Sequence, residues 1–166
     1  SSDLAGDAQW DGQGDVGAAK ELYRRAQRAY ELEDFWQAIQ LSQQAIDMAP
    51  QRAELYHLLG LALSKNPKWR KDAEKNLKIA ASLDPWKSEY LIELGKLYHA
   101  LQLTEAAIDC YRRATELGPD EPRAWYFTAI ALAELGEADA ALATIDRVVE
   151  LAPDYVPDRK STRLNS

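Results

Sequence analysis

The sequence predicts an all-α fold, a solenoid of four helix-turn-helix repeats with about eight helices, and three observations carry that reading. Helix-forming residues dominate throughout, and no alternating strand pattern occurs. Apolar residues recur at helical spacing: Leu91, Leu94, Gly95 and Tyr98 stand at i, i+3, i+4 and i+7, and Ala107, Tyr111 and Ala114 repeat the pattern. Four columns also recur in register. Ala26, Gly60, Gly95 and Ala129 are spaced 34, 35 and 34, whereas Ala38, Ala73, Ala107 and Ala141, like Pro50, Pro85, Pro119 and Pro153, are spaced 35, 34 and 34. The column Leu22, Tyr56, Leu91 and Trp125 follows the first spacing, so one extra residue lies between Gly60 and Ala73. A single hairpin of this size cannot bury its own apolar faces, whereas stacked copies can.

Taken in order, residues 1–18 are rich in Gly, Asp and Ser without periodicity and read as a flexible linker. Repeat one, about 19–52, carries Leu22, Ala26 and Ala29, then Asp34-x-x-Gln37, a capping-box pattern for its second helix. Ser42 replaces a bulky residue there, and Phe35 and Trp36 are expected to fill its space. Repeat two, about 53–87, holds the insertion. Asn66-Pro67 supplies an N-cap followed by proline, which predicts an early start for its second helix. The basic cluster Lys68–Asp72 reads as a solvated turn with Trp69 folded on the hairpin, or else as a contact for an acidic partner. Trp86 is expected to pack between repeats two and three. Repeat three, about 88–121, pairs Gly95 with Ala107 at the helix contact and ends at Gly118-Pro119, where glycine can turn left-handed and proline cannot continue the helix. Repeat four, about 122–155, has Trp125, Ala129 and Leu132, then Gly136 in its turn and Ala141, Ile145 and Val148.

The period near 34, a small residue in each helix and the closing proline resemble the tetratricopeptide repeat over roughly Ala19 to Pro153. Tyr56-x-x-Leu59-Gly60-x-x-Leu63, Leu91-x-x-Leu94-Gly95-x-x-Tyr98 and Ala107-x-x-x-Tyr111 carry the likeness. It implies a right-handed solenoid whose first helices line a concave groove for a peptide or a partner helix. It places Tyr23, Gln27, Tyr30, His57, Leu61, Ile92, Lys96, His99, Tyr126 and Ile130 on that groove. The family's clamp for acidic C-terminal tails is not expected. Tyr23, Gln27, Leu58, Glu89 and Glu93 occupy its positions, and two carboxylates stand where cations are required.

The residues offer no catalytic constellation. HExxH, CxxC, GxSxG and phosphate-binding glycine loops are missing, and His57 and His99 fall at different heights on neighbouring helices. A non-enzymatic module without metal or cofactor is therefore expected. The lone Cys110 forms no internal disulfide and reads as a packed thiol. The net charge of −7 argues against nonspecific nucleic-acid or anionic-lipid binding, and no apolar run approaches the ~18 residues of a membrane span. A cytoplasmic protein is expected. The closing string DRKSTRLNS, 158–166, resembles a translated sequencing adapter and is read as non-native. With no capping helix after Pro153, the chain reads as a fragment of a multidomain or longer repeat protein. Two alternatives follow: an assembly element that stacks on further repeats or on itself through the last repeat, or the targeting adaptor of a lost catalytic or J-type co-chaperone domain.

Overall fold

The computed structural model describes residues 16–155, so the body of the expected linker and the expected non-native tail lie outside the described residues. Eight α-helices follow one another there: α1 Val16–Glu31, α2 Phe35–Met48, α3 Ala53–Ser64, α4 Arg70–Leu83, α5 Ser88–Ala100, α6 Thr104–Leu117, α7 Pro122–Glu134 and α8 Ala138–Leu151. A 3₁₀ turn, Pro67–Trp69, precedes α4. The helices divide into two compact units with the boundary between Leu83 and Asp84, each holding two helical hairpins. In the first, α1 packs on α2 and α3 on α4, with α3 also against α1 and α2; in the second, α5–α8 repeat the arrangement. The all-α repeat architecture is the one the periodicity predicts.

Helix α1 begins at Val16, three residues inside the segment expected as linker. Val16 is partly buried against Ala19, Ala45, Ala49 and Leu55, so packing extends the helix past the point where the sequence pattern fades. The second unit buries a continuous apolar cluster. Leu91, Ile92, Ala107, Ile108, Tyr111, Ala114, Phe127 and Leu132 are all buried in it.

In the hairpins of repeats two and three the helices meet at the small-residue column, where each glycine faces a large side chain one turn past the expected alanine. A methyl group added at Gly95 would lie 2.7 Å from Cδ1 of Tyr111, and one at Gly60 would lie 2.7 Å from Cγ of Leu77. Glycine therefore admits a large side chain one turn beyond the alanine column. In repeat one the corresponding positions hold Ala26 and Ser42, both fully buried. In that repeat the first helix carries a methyl group and the second gives up bulk. Trp36 does not fill the space at Ser42, because it is 59% exposed; Phe35 packs edge-on against Tyr30 at 5.4 Å.

Three of the four hairpin turns close identically. Glu33, Gln102 and Gly136 adopt φ of 61°, 60° and 79°. The next residue in each donates its amide five residues back: Asp34 to Ala29, Leu103 to Tyr98 and Glu137 to Leu132, at 2.9, 2.9 and 3.0 Å. This is the Schellman closure, with a left-handed residue satisfying the last helical carbonyls. The turn of repeat two departs from it because of its extra residue. Asn66 Oδ1 accepts from the Lys68 amide at 3.0 Å, and the 3₁₀ turn leads into α4. The early helix start predicted from Asn66-Pro67 is realised in this form. The Asp34 cap is realised as well, with Oδ1 accepting from the Gln37 amide at 3.1 Å.

The turns between repeats obey a different rule. Gly118 is not left-handed: its φ is −131°, and Ala49 and Ala152 match it at −139° and −150°. Each precedes a proline, whose ring drives the preceding residue out of the helical region. The proline carbonyls are used too. Tyr56 Oη donates to Pro50 O at 3.0 Å, and Trp125 Nε1 to Pro119 O at 2.9 Å, which ties the fourth column to the third. Trp86, expected to pack between repeats, is 81% exposed in the turn after Pro85.

Candidate binding faces

The second unit carries the better-defined candidate face, built from α5 and α7. Glu93, Lys96 and His99 lie at i, i+3 and i+6 on α5, and Arg123, Tyr126, Ile130 and Glu134 at i, i+3, i+7 and i+11 on α7, so each set forms one stripe. The Glu93 carboxylate joins the two helices. It accepts from Lys96 Nζ at 3.2 Å and from Arg123 Nη2 at 3.1 Å. Lys96 is buried and also lies 5.6 Å from the centre of the Phe127 ring. His99 Nε2 reaches Glu134 Oε2 at 2.5 Å, a second bridge from α5 to α7. Tyr126 meets Phe127 and Tyr155 edge-on, at 5.6 and 5.7 Å between ring centres. Burial pushes the Tyr155 phenol above its ordinary value, and the Arg123 charge opposes that shift.

Ile92 departs from its expected place on the surface. It is 1% exposed and belongs to the cluster containing Phe127 and Ala131, because its side of α5 forms the seam with α7. Tyr126 and Ile130 are half-buried and rest on the same cluster.

The first unit holds the other five expected residues. Tyr23 is half-buried against the Ala19–Leu55 cluster, Gln27 is exposed, and Tyr30 sits beneath Lys65 Nζ at 5.6 Å. His57 and Leu61 are half-buried on α3. Sequence reasoning missed Phe127, Glu134 and Tyr155. Phe127 stands four residues after Arg123 and Glu134 four after Ile130, a one-turn spacing that could have revealed both. Tyr155 lies beyond the last helix, where no period points to it. No group of three or more potential metal ligands occurs among the described residues.

Paired helices joined by short turns, with a small residue in each first helix and a mixed charged and aromatic stripe on α5 and α7, define a helical-repeat protein. The sequence profile of the tetratricopeptide repeat matches residues 69–122 and 92–156, more than half of the chain. The chain belongs to the tetratricopeptide repeat family. Solved structures share the fold. MamA matches with a TM-score of 0.76 at 20% identity, over 81% of this chain and 78% of that one. YrrB, described as a TPR protein with an unusual peptide-binding site, matches with a TM-score of 0.70 at 22% identity, over 85% and 72%. An O-GlcNAc transferase of Thermobaculum terrenum matches with a TM-score of 0.67 at 29% identity, over 73% of this chain and 23% of that larger one.

Proposed function

We propose that this chain is a non-enzymatic scaffold of the cytoplasm that holds an extended peptide or a partner helix on the first helices of its repeats. The observation that carries this reading is the α5–α7 stripe, where Tyr126 and Ile130 stand beside the Glu93–Lys96–Arg123 bridge. Half-buried aromatic and aliphatic anchors flanked by fixed polar groups are what a peptide hot spot requires. Tyr23, Gln27, Tyr30, His57 and Leu61 supply a comparable set in the first unit. The peptide-binding site reported for YrrB supports the same use of the fold. Because Glu93 already engages both nearby cations, an acidic C-terminal tail finds no clamp there. The buried single thiol, Cys110, fits a reducing compartment.

The test is selection of a displayed peptide library on the wild-type chain, followed by titration of the enriched peptide. Tyr126→Ala with His57→Ala should weaken binding by about tenfold or more with helicity intact. Unchanged affinity would refute the assignment of the face.

A second reading, assembly through the last repeat, has its own observation. Leu142 and Val149 are exposed on α8, with Ile145 between them at helical spacing. Leu142→Glu should abolish any concentration-dependent association seen in sedimentation; a wild-type chain that stays monomeric at high concentration removes this reading.

A further inference from the structure

The basic cluster of repeat two remains outside the binding faces, and the structure gives it a shape. Residues 65–78 hold six cations, Lys65, Lys68, Arg70, Lys71, Lys75 and Lys78, and only two carboxylates, Asp72 and Glu74, on a chain whose net charge is −7. The rest of the chain therefore carries 14 cations against 25 carboxylates. Buried Ala73, Leu77 and Ala80 turn the inner side of α4 to the core. Lys71, Lys75 and Lys78 share that i, i+4, i+7 spacing two residues earlier and are exposed, so they line the outer side, with Lys68 continuing the stripe into the 3₁₀ turn. Glu74 is engaged by Lys78 at 2.6 Å.

At the head of this stripe the turns of repeats one and two lie side by side. The Trp36 and Trp69 rings stand 6.0 Å apart, and Lys65 Nζ lies within 5.7 Å of both the Tyr30 and Phe35 ring centres. An indole pair with one ring mostly in solvent adds little to a core, yet it offers a flat apolar platform beside a row of cations.

We propose that the Trp36–Trp69 platform and the Lys68–Lys71–Lys75–Lys78 stripe dock a short acidic peptide segment bearing one aromatic or large aliphatic side chain. This site lies at the hairpin turns and along the outer side of α4, uses none of the residues of the first-helix faces except Tyr30 beneath Lys65, and does not depend on them. Charge complementarity selects the occupant. The stripe is about 17 Å long, the reach of about five extended residues. A nucleic acid, with a charge every few ångströms, would run past the stripe onto a strongly negative chain within a Debye length or two, about 8–16 Å. A membrane surface meets the same repulsion, and the outer side of α4 presents lysines rather than apolar residues with which to insert.

The experiment is fluorescence anisotropy of a labelled peptide about eight residues long, glutamates flanking a Trp-Leu pair, titrated with the full chain at low and at moderate salt. Saturable binding that weakens with salt is expected. Lys68→Glu with Lys71→Glu should weaken it by about tenfold or more, by reversing two contacts. Trp36→Ala should weaken it severalfold without loss of helicity, since most of its ring is in solvent. Tyr126→Ala should leave it unchanged, which separates this site from the α5–α7 face. The proposal is overturned if the peptide does not bind, if these variants bind it as the wild type does, or if a lysine-for-glutamate peptide binds equally well. Tighter binding of oligothymidylate or of anionic phosphatidylserine vesicles than of the peptide would also overturn it, in favour of those partners.

Discussion

Substituting Gly95 by alanine tests the packing that builds the hairpin of repeat three. The added methyl group would sit 2.7 Å from Cδ1 of Tyr111, a ring with no solvent exposure that is stacked on Phe127 at 5.6 Å between centres. Tyr111 cannot swing aside without disturbing that stack, so the helices must separate or the ring must leave its rotamer. Overpacking of this kind costs about 1–3 kcal/mol, and replacing a helical glycine returns up to about 1 kcal/mol. A net loss of about 1 kcal/mol follows, or a fall of roughly 2–4 °C in Tm at the usual sensitivity of a chain this size. Thermal melts followed by circular dichroism at 222 nm, with calorimetry, measure it. The decisive arm is the double-mutant cycle with Tyr111→Ser, which copies the small second-helix residue that repeat one pairs with Ala26. In that background Gly95→Ala should become neutral or slightly stabilising. An unchanged Tm for Gly95→Ala, or an equal loss in both backgrounds, would refute the reasoning.

The left-handed turn residues predict opposite signs for opposite substitutions. Gln102→Gly should stabilise the chain by about 0.5 kcal/mol, because the strain relieved at φ 60° exceeds the added chain entropy. Gly136→Ala at φ 79° should cost about 1 kcal/mol, and urea titration of both variants checks the pair. The buried Tyr111 hydroxyl has no hydrogen-bond partner among the described residues. Burial first, and the Glu93 charge next, push its phenol well above the ordinary value of 10.0. The native state thus resists losing this proton while the unfolded state does not, so stability is full below about pH 10 and falls as pH rises beyond it. Tyr111→Phe should be as stable as the wild type at pH 7, or more so by up to about 1 kcal/mol, and should lose less stability between pH 9 and pH 11 as read by urea midpoints about one pH unit apart.

The amino-acid sequence by itself determined the repeat. A column of Ala and Gly at 34- or 35-residue spacing states where two helices must touch, because a residue at a close crossing has little room for a side chain of its own. The prolines state where each repeat ends, and the Asp34 and Asn66 caps state where helices begin, since these are local matters of backbone dihedral and hydrogen bonding. The one-residue insertion was legible as a break in spacing, and its effect, loss of the left-handed closure in repeat two, follows from the same local rules.

Tertiary packing decided the rest. Gly118 looks free to turn left-handed, but before a proline it takes a negative φ of −131° instead. Trp86 and Trp36 look like core material from hydrophobicity, yet their positions at turns leave them in solvent. Ile92 shares the helical spacing of a surface stripe, and only the packing of α7 against α5 buries that residue. The Glu93–Lys96–Arg123 and His99–Glu134 bridges join residues 30 and 35 positions apart, beyond any helical period within one helix. Which charges neutralise one another across a seam depends on rotation of each helix about its axis, and that rotation is fixed by the buried side chains rather than by the charges themselves.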